Sequence, residues 1–127
     1  MRTLVVDDVP RAGPYSHAAQ AGPWVYTAGM GGVDPATNEV ISDDLVEQAD
    51  QAITNTVSIL AGAGCALSDV VKVTLYLTDP ADYDRVNRVY AERFGEHRPV
   101  RTCIVAANLP ARERVKLETI AYLGDQP

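Results

Sequence analysis

The sequence predicts an α+β fold of order ββαβαββ, with a mixed sheet carrying two helices on one face. Three observations predict it: helical periodicity over residues 42–64 and again after Asp79-Pro80, strand-like runs grouped before, between and after those segments, and Gly- and Pro-containing turns wherever the pattern changes. At 127 residues, 46% of them hydrophobic, the chain has the length and composition of one domain, taken as 1–127.

Residues 3–6 suit a short first strand and residues 24–29 a second, with the Gly- and Pro-containing segment 11–23 looping out between them. A loop that long in a compact domain is often functional, which draws attention to Gly13-Pro14-Tyr15-Ser16-His17. After the turn-rich Gly31-Gly32-Val33-Asp34-Pro35, residues 42–64 place Val46, Ala49, Ile53, Val57, Leu60 and Ala61 at helical spacing. Ser42, Asp43 and Asp44 are cap candidates, Asp44 with Glu47 fits a capping-box variant, and Gly62 and Gly64 supply the stop.

Val71, Val73, Leu75 and Leu77 then alternate with Lys72, Thr74, Tyr76 and Thr78, the period of a strand with one apolar face. Asp79-Pro80 opens a second helix, along one side of which Tyr83, Val86, Tyr90 and Phe94 recur until Gly95 ends it. Residues 100–107 and 114–123 read as a final pair of strands joined by residues 108–113.

Two helices cover one face of such a sheet, yet residues 103–107 are apolar on both faces, and the last strand shows Val115 and Leu117 one way, Ile120 and Tyr122 the other. The second face therefore calls for another copy of the chain. A net charge of −6, with eleven scattered Lys and Arg residues, disfavours nucleic acid as a partner. No window approaches the length of a membrane span and no signal-peptide core opens the chain, so a cytoplasmic protein is expected. Cys65 and Cys103 lack the spacing of a zinc site, and His17 and His97 form no metal motif, so no metal is expected.

Arg101 is the informative polar residue. Flanked by Pro99, Val100, Cys103 and Ile104, its guanidinium calls for an anion, a substrate carboxylate held through two hydrogen bonds, unless it is a strand-end arginine on the surface or in a structural ion pair. Glu118 lies in an otherwise apolar strand centre and is either the salt-bridge partner of that arginine or a water-holding general base. If the last two strands form a symmetric hairpin, Cys103 falls opposite Glu118, and Arg101, Cys103 and Glu118 share one face. Cys103 reads first as a small packed side chain, Tyr15 as a loop anchor or a hydroxyl donor closing a pocket, and His17 as a surface or hydrogen-bonding residue.

These residues together resemble the RidA, or YjgF, family over nearly the whole chain. Gly13-Pro14-Tyr15-Ser16 is similar to its loop motif, Thr27-Ala28-Gly29 to the end of its second strand, and Val86-Asn87 with Tyr90 and Phe94 to its second helix. Arg101-Thr102-Cys103, Leu109-Pro110 and residues 115–121 are similar to its C-terminal signature. The resemblance implies a chorismate-mutase-like fold, a homotrimer with a site in each intersubunit cleft, and cofactor-free hydrolysis of 2-aminoacrylate and related 2-imino acids to keto acids and ammonia. It further implies that Arg101 clamps the substrate carboxylate, Glu118 activates a water, Tyr15 reaches in from the loop, Gly29 and Cys103 line the pocket, and Asn87 stands nearby.

Three departures bear on substrate range: His17 stands where glutamine is common, Met30-Gly31-Gly32 replaces a glutamine-aliphatic-proline run, and residues 95–100 are a few residues short. Two other functions fit the same residues, a non-catalytic trimer that binds a small carboxylate and a deaminase devoted to one pathway. RNA cleavage fits the acidic balance poorly.

Overall fold

The computed structural model describes residues 1–124; Asp125, Gln126 and Pro127, which the expected 1–127 domain includes, lie outside the described residues. Six strands precede the first helix: β1 (Arg2–Leu4), β2 (Ala18–Ala21), β3 (Trp24–Thr27), β4 (Met30–Gly31), β5 (Val33–Asp34) and β6 (Glu39–Val40). Then follow α1 (Leu45–Gly62), β7 (Val70–Leu77), α2 (Tyr83–Phe94), β8 (Val100–Val105) and β9 (Val115–Tyr122). Seven strands form one mixed sheet, ordered β1-β2-β3-β9-β7-β8 with β4 also on β9, while β5 and β6 pair separately. The α+β class, the mixed sheet and the two helices stand as expected, whereas the ββαβαββ order is corrected: β2 and β4 also join the main sheet, and β5 and β6 add a separate pair before α1.

The loop expected over residues 11–23 contains β2. Ala21 faces Trp24 across a two-residue turn, Gly22-Pro23, in which Gly22 takes φ +59°. A positive φ at the first turn residue and the fixed negative φ of proline at the second give the twist that a tight hairpin requires. Ala-Ala-Gln-Ala carries little strand propensity of its own, so β2 owes its existence to this turn and to pairing on both sides with β1 and β3.

Helix α1 begins where the sequence places its caps. Asp44 accepts the Glu47 amide at 3.1 Å, while the Glu47 carboxylate takes a hydrogen bond from the Ser42 hydroxyl instead of closing the box on the Asp44 amide. At the other end Cys65 N–H donates to Leu60 C=O and Gly64 N–H to Ala61 C=O, with Gly64 at φ +81°, the Schellman arrangement. The buried face, however, is rotated from the expected one: Val46 and Ala61 are exposed, and Leu45, Ala52, Thr56 and Ile59 are buried. Polar side chains cause the shift, because Gln48, Asn55 and Thr56 are all buried with their hydrogen bonds satisfied.

Along β7 a bulge between Val70 and Lys72 buries Val70 and turns Val71 outward, so the apolar face is Val70, Val73, Leu75 and Leu77. Both helices pack on this face, and the core gathers Leu45, Ile59, Leu60, Leu77 and Leu117, all nearly inaccessible. Each contributes about 1.5–3 kcal/mol by leaving water.

The final two strands do not form the expected hairpin. β8 runs parallel to β7 through the α2 crossover, and β9 pairs antiparallel with β7 on its other side. A parallel crossover lets the apolar stripe Val86, Val89, Tyr90 and Phe94 of α2 bury itself over the sheet, which a direct β8–β9 turn would not permit. Asp82, buried just ahead of α2, accepts from Arg85 of that helix and from Arg114 just before β9, and Arg114 also donates to Asp43 C=O ahead of α1.

Candidate active site

Residues paired across adjacent strands point to the same face of a sheet, so the β7 register assigns each candidate to a side. Arg101 pairs with Val73 and Cys103 with Leu75, which puts both on the helix-covered face. Glu118 pairs with Thr74 and Lys116 with Tyr76, on the open face. The expectation that Arg101, Cys103 and Glu118 share a face is therefore corrected: β7 intervenes between their strands, and its register sets the opposite parity.

On the helix side, Arg101 is held by α2. Its Nη2 donates to Asn87 Oδ1 at 2.8 Å and to the Tyr83 hydroxyl at 3.2 Å, and its guanidinium carbon lies 4.7 Å from the Tyr90 ring centroid. Tyr83, Asn87 and Tyr90 follow at i, i+4 and i+7, one stripe of the helix, so the helical repeat itself builds the cradle. Among the described residues Arg101 makes no ion pair, which sets aside a structural salt bridge with Glu118. A planar cation fixed from one side and free of carboxylates presents the fork that an incoming carboxylate requires. Burial pushes the Cys103 thiol up more than nearby Arg101 pulls it down, which suits packing and disfavours a thiolate nucleophile.

On the open side, Tyr15, Gly29 and Glu118 line a cleft of ≈ 610 Å³ between the 10–15 loop, the β4–β6 segment and β9. The strand ladder is interrupted at Ala28-Gly29, where Thr119 N–H donates to Thr27 Oγ1 at 3.0 Å and Ala28 N–H reaches His17 C=O at 2.8 Å. Gly29 thereby becomes cleft wall, and a side chain there would begin 3.0 Å from the Lys116 stem. The Tyr76 hydroxyl donates to Glu118 Oε1, and this hydrogen bond, with the nearby negative charge, holds the tyrosine proton above its ordinary range. The Tyr15 hydroxyl accepts the Ala12 amide at 3.3 Å, which folds the loop on itself and leaves the phenol proton available to the cleft.

His17 is fully buried, not on the surface. Its Nδ1 accepts the Val6 amide at 2.9 Å, so the ring is the neutral tautomer with its proton on Nε2, donated to Pro10 C=O at 3.1 Å. It serves as the internal fastening of the 5–17 loop that presents Tyr15, because buried loop amides and carbonyls need partners.

The structure thus joins Arg101, Cys103 and Asn87 in one group and Tyr15, Gly29 and Glu118 in another. Sequence reasoning did not single out Tyr76, Tyr83, Asn55, Glu113 or Lys116 for the site. The signal for Tyr83 was the i, i+4, i+7 stripe with Asn87 and Tyr90, and for Tyr76 and Lys116 it was strand alternation with Glu118. Among the described residues no group of three His, Cys, Asp or Glu side chains is placed to hold a metal.

The family model described as Endoribonuclease L-PSP matches residues 7–123. A RutC family protein of Pyrococcus horikoshii is 43% identical over 120 residues, covering 94% of this chain and 95% of that protein. The 2-iminobutanoate/2-iminopropanoate deaminase of Capra hircus is 41% identical, over 88% of this chain and 82% of its own. Among solved structures, Escherichia coli TdcF with bound serine superposes with a TM-score of 0.91 at 32% identity, covering 96% of this chain and 98% of that one.

Proposed function

Given that the chain belongs to the endoribonuclease L-PSP family, also known as the YjgF/RidA family, we propose that it hydrolyses 2-aminoacrylate and related 2-imino acids to 2-keto acids and ammonia. The observation that carries this reading is Arg101, a guanidinium positioned by Asn87 and Tyr90 and lacking any carboxylate of its own among the described residues. The mammalian relative's name as an imine deaminase supports the same chemistry.

The two residue groups lie on opposite sides of one sheet, and a single chain cannot bring them to one substrate. Trp24, Tyr26 and Ile104 are 38%, 45% and 43% exposed on the open face or β8 edge, apolar surface suited to a second copy of the chain. In our reading three chains of chorismate-mutase-like fold pack sheet against sheet, so that Arg101, Cys103 and Asn87 of one subunit meet the Tyr15–Gly29–Glu118 cleft of its neighbour. The protein then works in the cytoplasm on a small molecule, with both cysteines as free thiols.

In that cleft Arg101 holds the substrate carboxylate and fixes the adjacent imine carbon. An enamine substrate first tautomerises to the imine. Glu118 then takes one proton from water as the water oxygen bonds to the imine carbon, the C=N electron pair moves to nitrogen, and Glu118 returns that proton to the nitrogen. On collapse of the carbinolamine its O–H bond breaks, the freed electron pair forms C=O, and Glu118 carries the hydroxyl proton to the nitrogen, which leaves as ammonia with the C–N electron pair. No redox step or electron sink is required, so residues that position and relay protons are sufficient. Tyr76 steadies Glu118 from the neighbouring strand β7.

The test couples a pyridoxal-phosphate enzyme that releases 2-aminoacrylate to this protein and follows pyruvate formation, comparing wild type with Arg101→Ala. Acceleration by the wild type alone is expected; the spontaneous rate for both would reject the reading. A fold neighbour holding serine favours a second reading, carboxylate binding without turnover. Glu118→Gln separates the two, since it abolishes turnover in the first and leaves carboxylate binding largely intact in both.

A further inference from the structure

Glu113 is the least accommodated polar residue of the cleft. Its side chain is 6% exposed, its Oε2 has no hydrogen-bond partner, and the Lys116 ammonium stands 3.4 Å away without alignment for a hydrogen bond. Burial pushes its carboxyl up, against a smaller downward pull from Lys116. A group left in this condition costs stability and is retained where something else completes it.

Its position is made by a glycine. A Cβ on Gly31 would lie 2.4 Å from Glu113 Cδ and within 2.7 Å of both carboxylate oxygens, so the carboxyl occupies the space a side chain at residue 31 would fill. Asn55 fixes that wall by donating to Gly31 C=O and Val33 C=O at 3.1 and 2.9 Å. The Gly31 and Glu113 positions therefore function as a pair: the bare backbone of one admits the carboxyl of the other to the cleft.

The charge of the surroundings selects the ligand. Among the described residues, Glu39, Glu113 and Glu118 line the cleft with the ammonium of Lys116, leaving an excess of acidic groups around a carboxyl that has an ion pair but no hydrogen bond at Oε2. Glu113 lies five residues before Glu118, just ahead of β9, so the two line the same cleft at different points along its wall. Resting on the deaminase reading above, we infer that Glu113, admitted by Gly31, forms a side-chain subsite for 2-imino acids bearing a distal cation, a guanidinium or an ammonium. The α-carboxylate is bound by Arg101, and the cationic far end of the substrate joins Lys116 at the Glu113 carboxyl. An apolar side chain would bring neither charge nor a hydrogen-bond donor to a carboxyl that has only the Lys116 ion pair, so the discrimination is one of hydrogen bonding as well as charge.

The experiment generates imines in situ from arginine and from leucine with an L-amino-acid oxidase and measures kcat/KM for each with wild type, Glu113→Gln and Gly31→Ala. The arginine-to-leucine ratio is expected to favour arginine in the wild type and to fall about tenfold in both variants. A ratio at or below one in the wild type, or one unmoved by Glu113→Gln, overturns the subsite. In parallel, calorimetry compares binding of the stable keto acids derived from arginine and leucine. If no imine is turned over, the deaminase reading fails separately, and the subsite stands or falls on whether the guanidinium keto acid binds more tightly in a Glu113-dependent manner.

Discussion

Arg101 and Glu118 stand on opposite faces of one sheet, because Arg101 is in register with Val73 and Glu118 with Thr74, consecutive residues of β7. A site that needs both must be shared between subunits, and sharing has a quantitative signature. Arg101→Ala and Glu118→Gln should each be inactive alone. Mixed by co-refolding in equal amounts, they should recover about one quarter of wild-type activity, the fraction of clefts that receive both intact residues. Continued inactivity of a mixture whose hetero-oligomers are verified would mean that the two residues act within one chain.

Tyr76 and Glu118 share a hydrogen bond in which the phenol donates, so Tyr76 keeps its proton above the ordinary tyrosine range. Replacing Glu118 by Gln removes both the charge and the strong acceptor. An ultraviolet titration of phenolate should show one tyrosine ionising at lower pH in Glu118→Gln than in wild type. Identical titration curves would count against the contact. Tyr76→Phe, which removes the group steadying Glu118 without touching the carboxylate binder, should lower kcat about tenfold and leave KM nearly unchanged.

Burial raises the Glu113 carboxyl above its unfolded value, and the sign of its linkage follows. Below the ordinary glutamate range both folded and unfolded states are protonated and Glu113 costs nothing. As pH rises toward and through the folded value, the unfolded state releases its proton more readily and stability is lost. Glu113→Gln should therefore melt higher than wild type at pH 8, and the gap should shrink as pH falls toward 4. A gap that widens on acidification would mean that Lys116 dominates Glu113 and that its carboxylate is well accommodated.

Gly31 and Gly32 are neighbours with different obligations. A Cβ on Gly32 would fall 2.6 Å from the Gln48 Cα and carbonyl oxygen, backbone that cannot yield without moving α1. At Gly31 the obstruction is only the movable end of Glu113. Urea unfolding should give a loss of about 2–3 kcal/mol for Gly32→Ala and about 1 kcal/mol or less for Gly31→Ala. Equal losses would mean that the Glu113 carboxyl cannot yield beside residue 31.

What the sequence disclosed and concealed follows from how local each cause is. The helix caps and the Gly64 stop depend on neighbours within a turn, and they were legible. The buried face of α1 was misassigned because Gln48 and Asn55 are polar by composition but internal by hydrogen bonding. Arg101 and Asn87 were identified individually, whereas the face of Glu118 depended on the order β9-β7-β8, which only the burial of α2 decides. Glu113 gave no sequence signal: a charged residue beside a strand reads as solvated, and its burial arises from a glycine eighty-two residues away in the chain.

The turn that leads into β9 stores strain beside the cleft. Ala111 and Arg112 both have φ +58°, and Ala111 lines the cleft wall. The left-handed region costs a non-glycine residue about 1–2 kcal/mol, while glycine introduces about 0.5–1 kcal/mol of additional unfolded-state entropy. Ala111→Gly should therefore be stabilising by about 0.5–1 kcal/mol, a rise of roughly 2–4 °C in Tm. Ala111→Val, with branching at Cβ, should shift Tm the other way, since the same φ is more costly for it. If glycine instead lowers Tm, the turn is held by contacts of the alanine methyl that outweigh the backbone cost. The strain would then have to be sought at Arg112, where the same glycine substitution gives the complementary test.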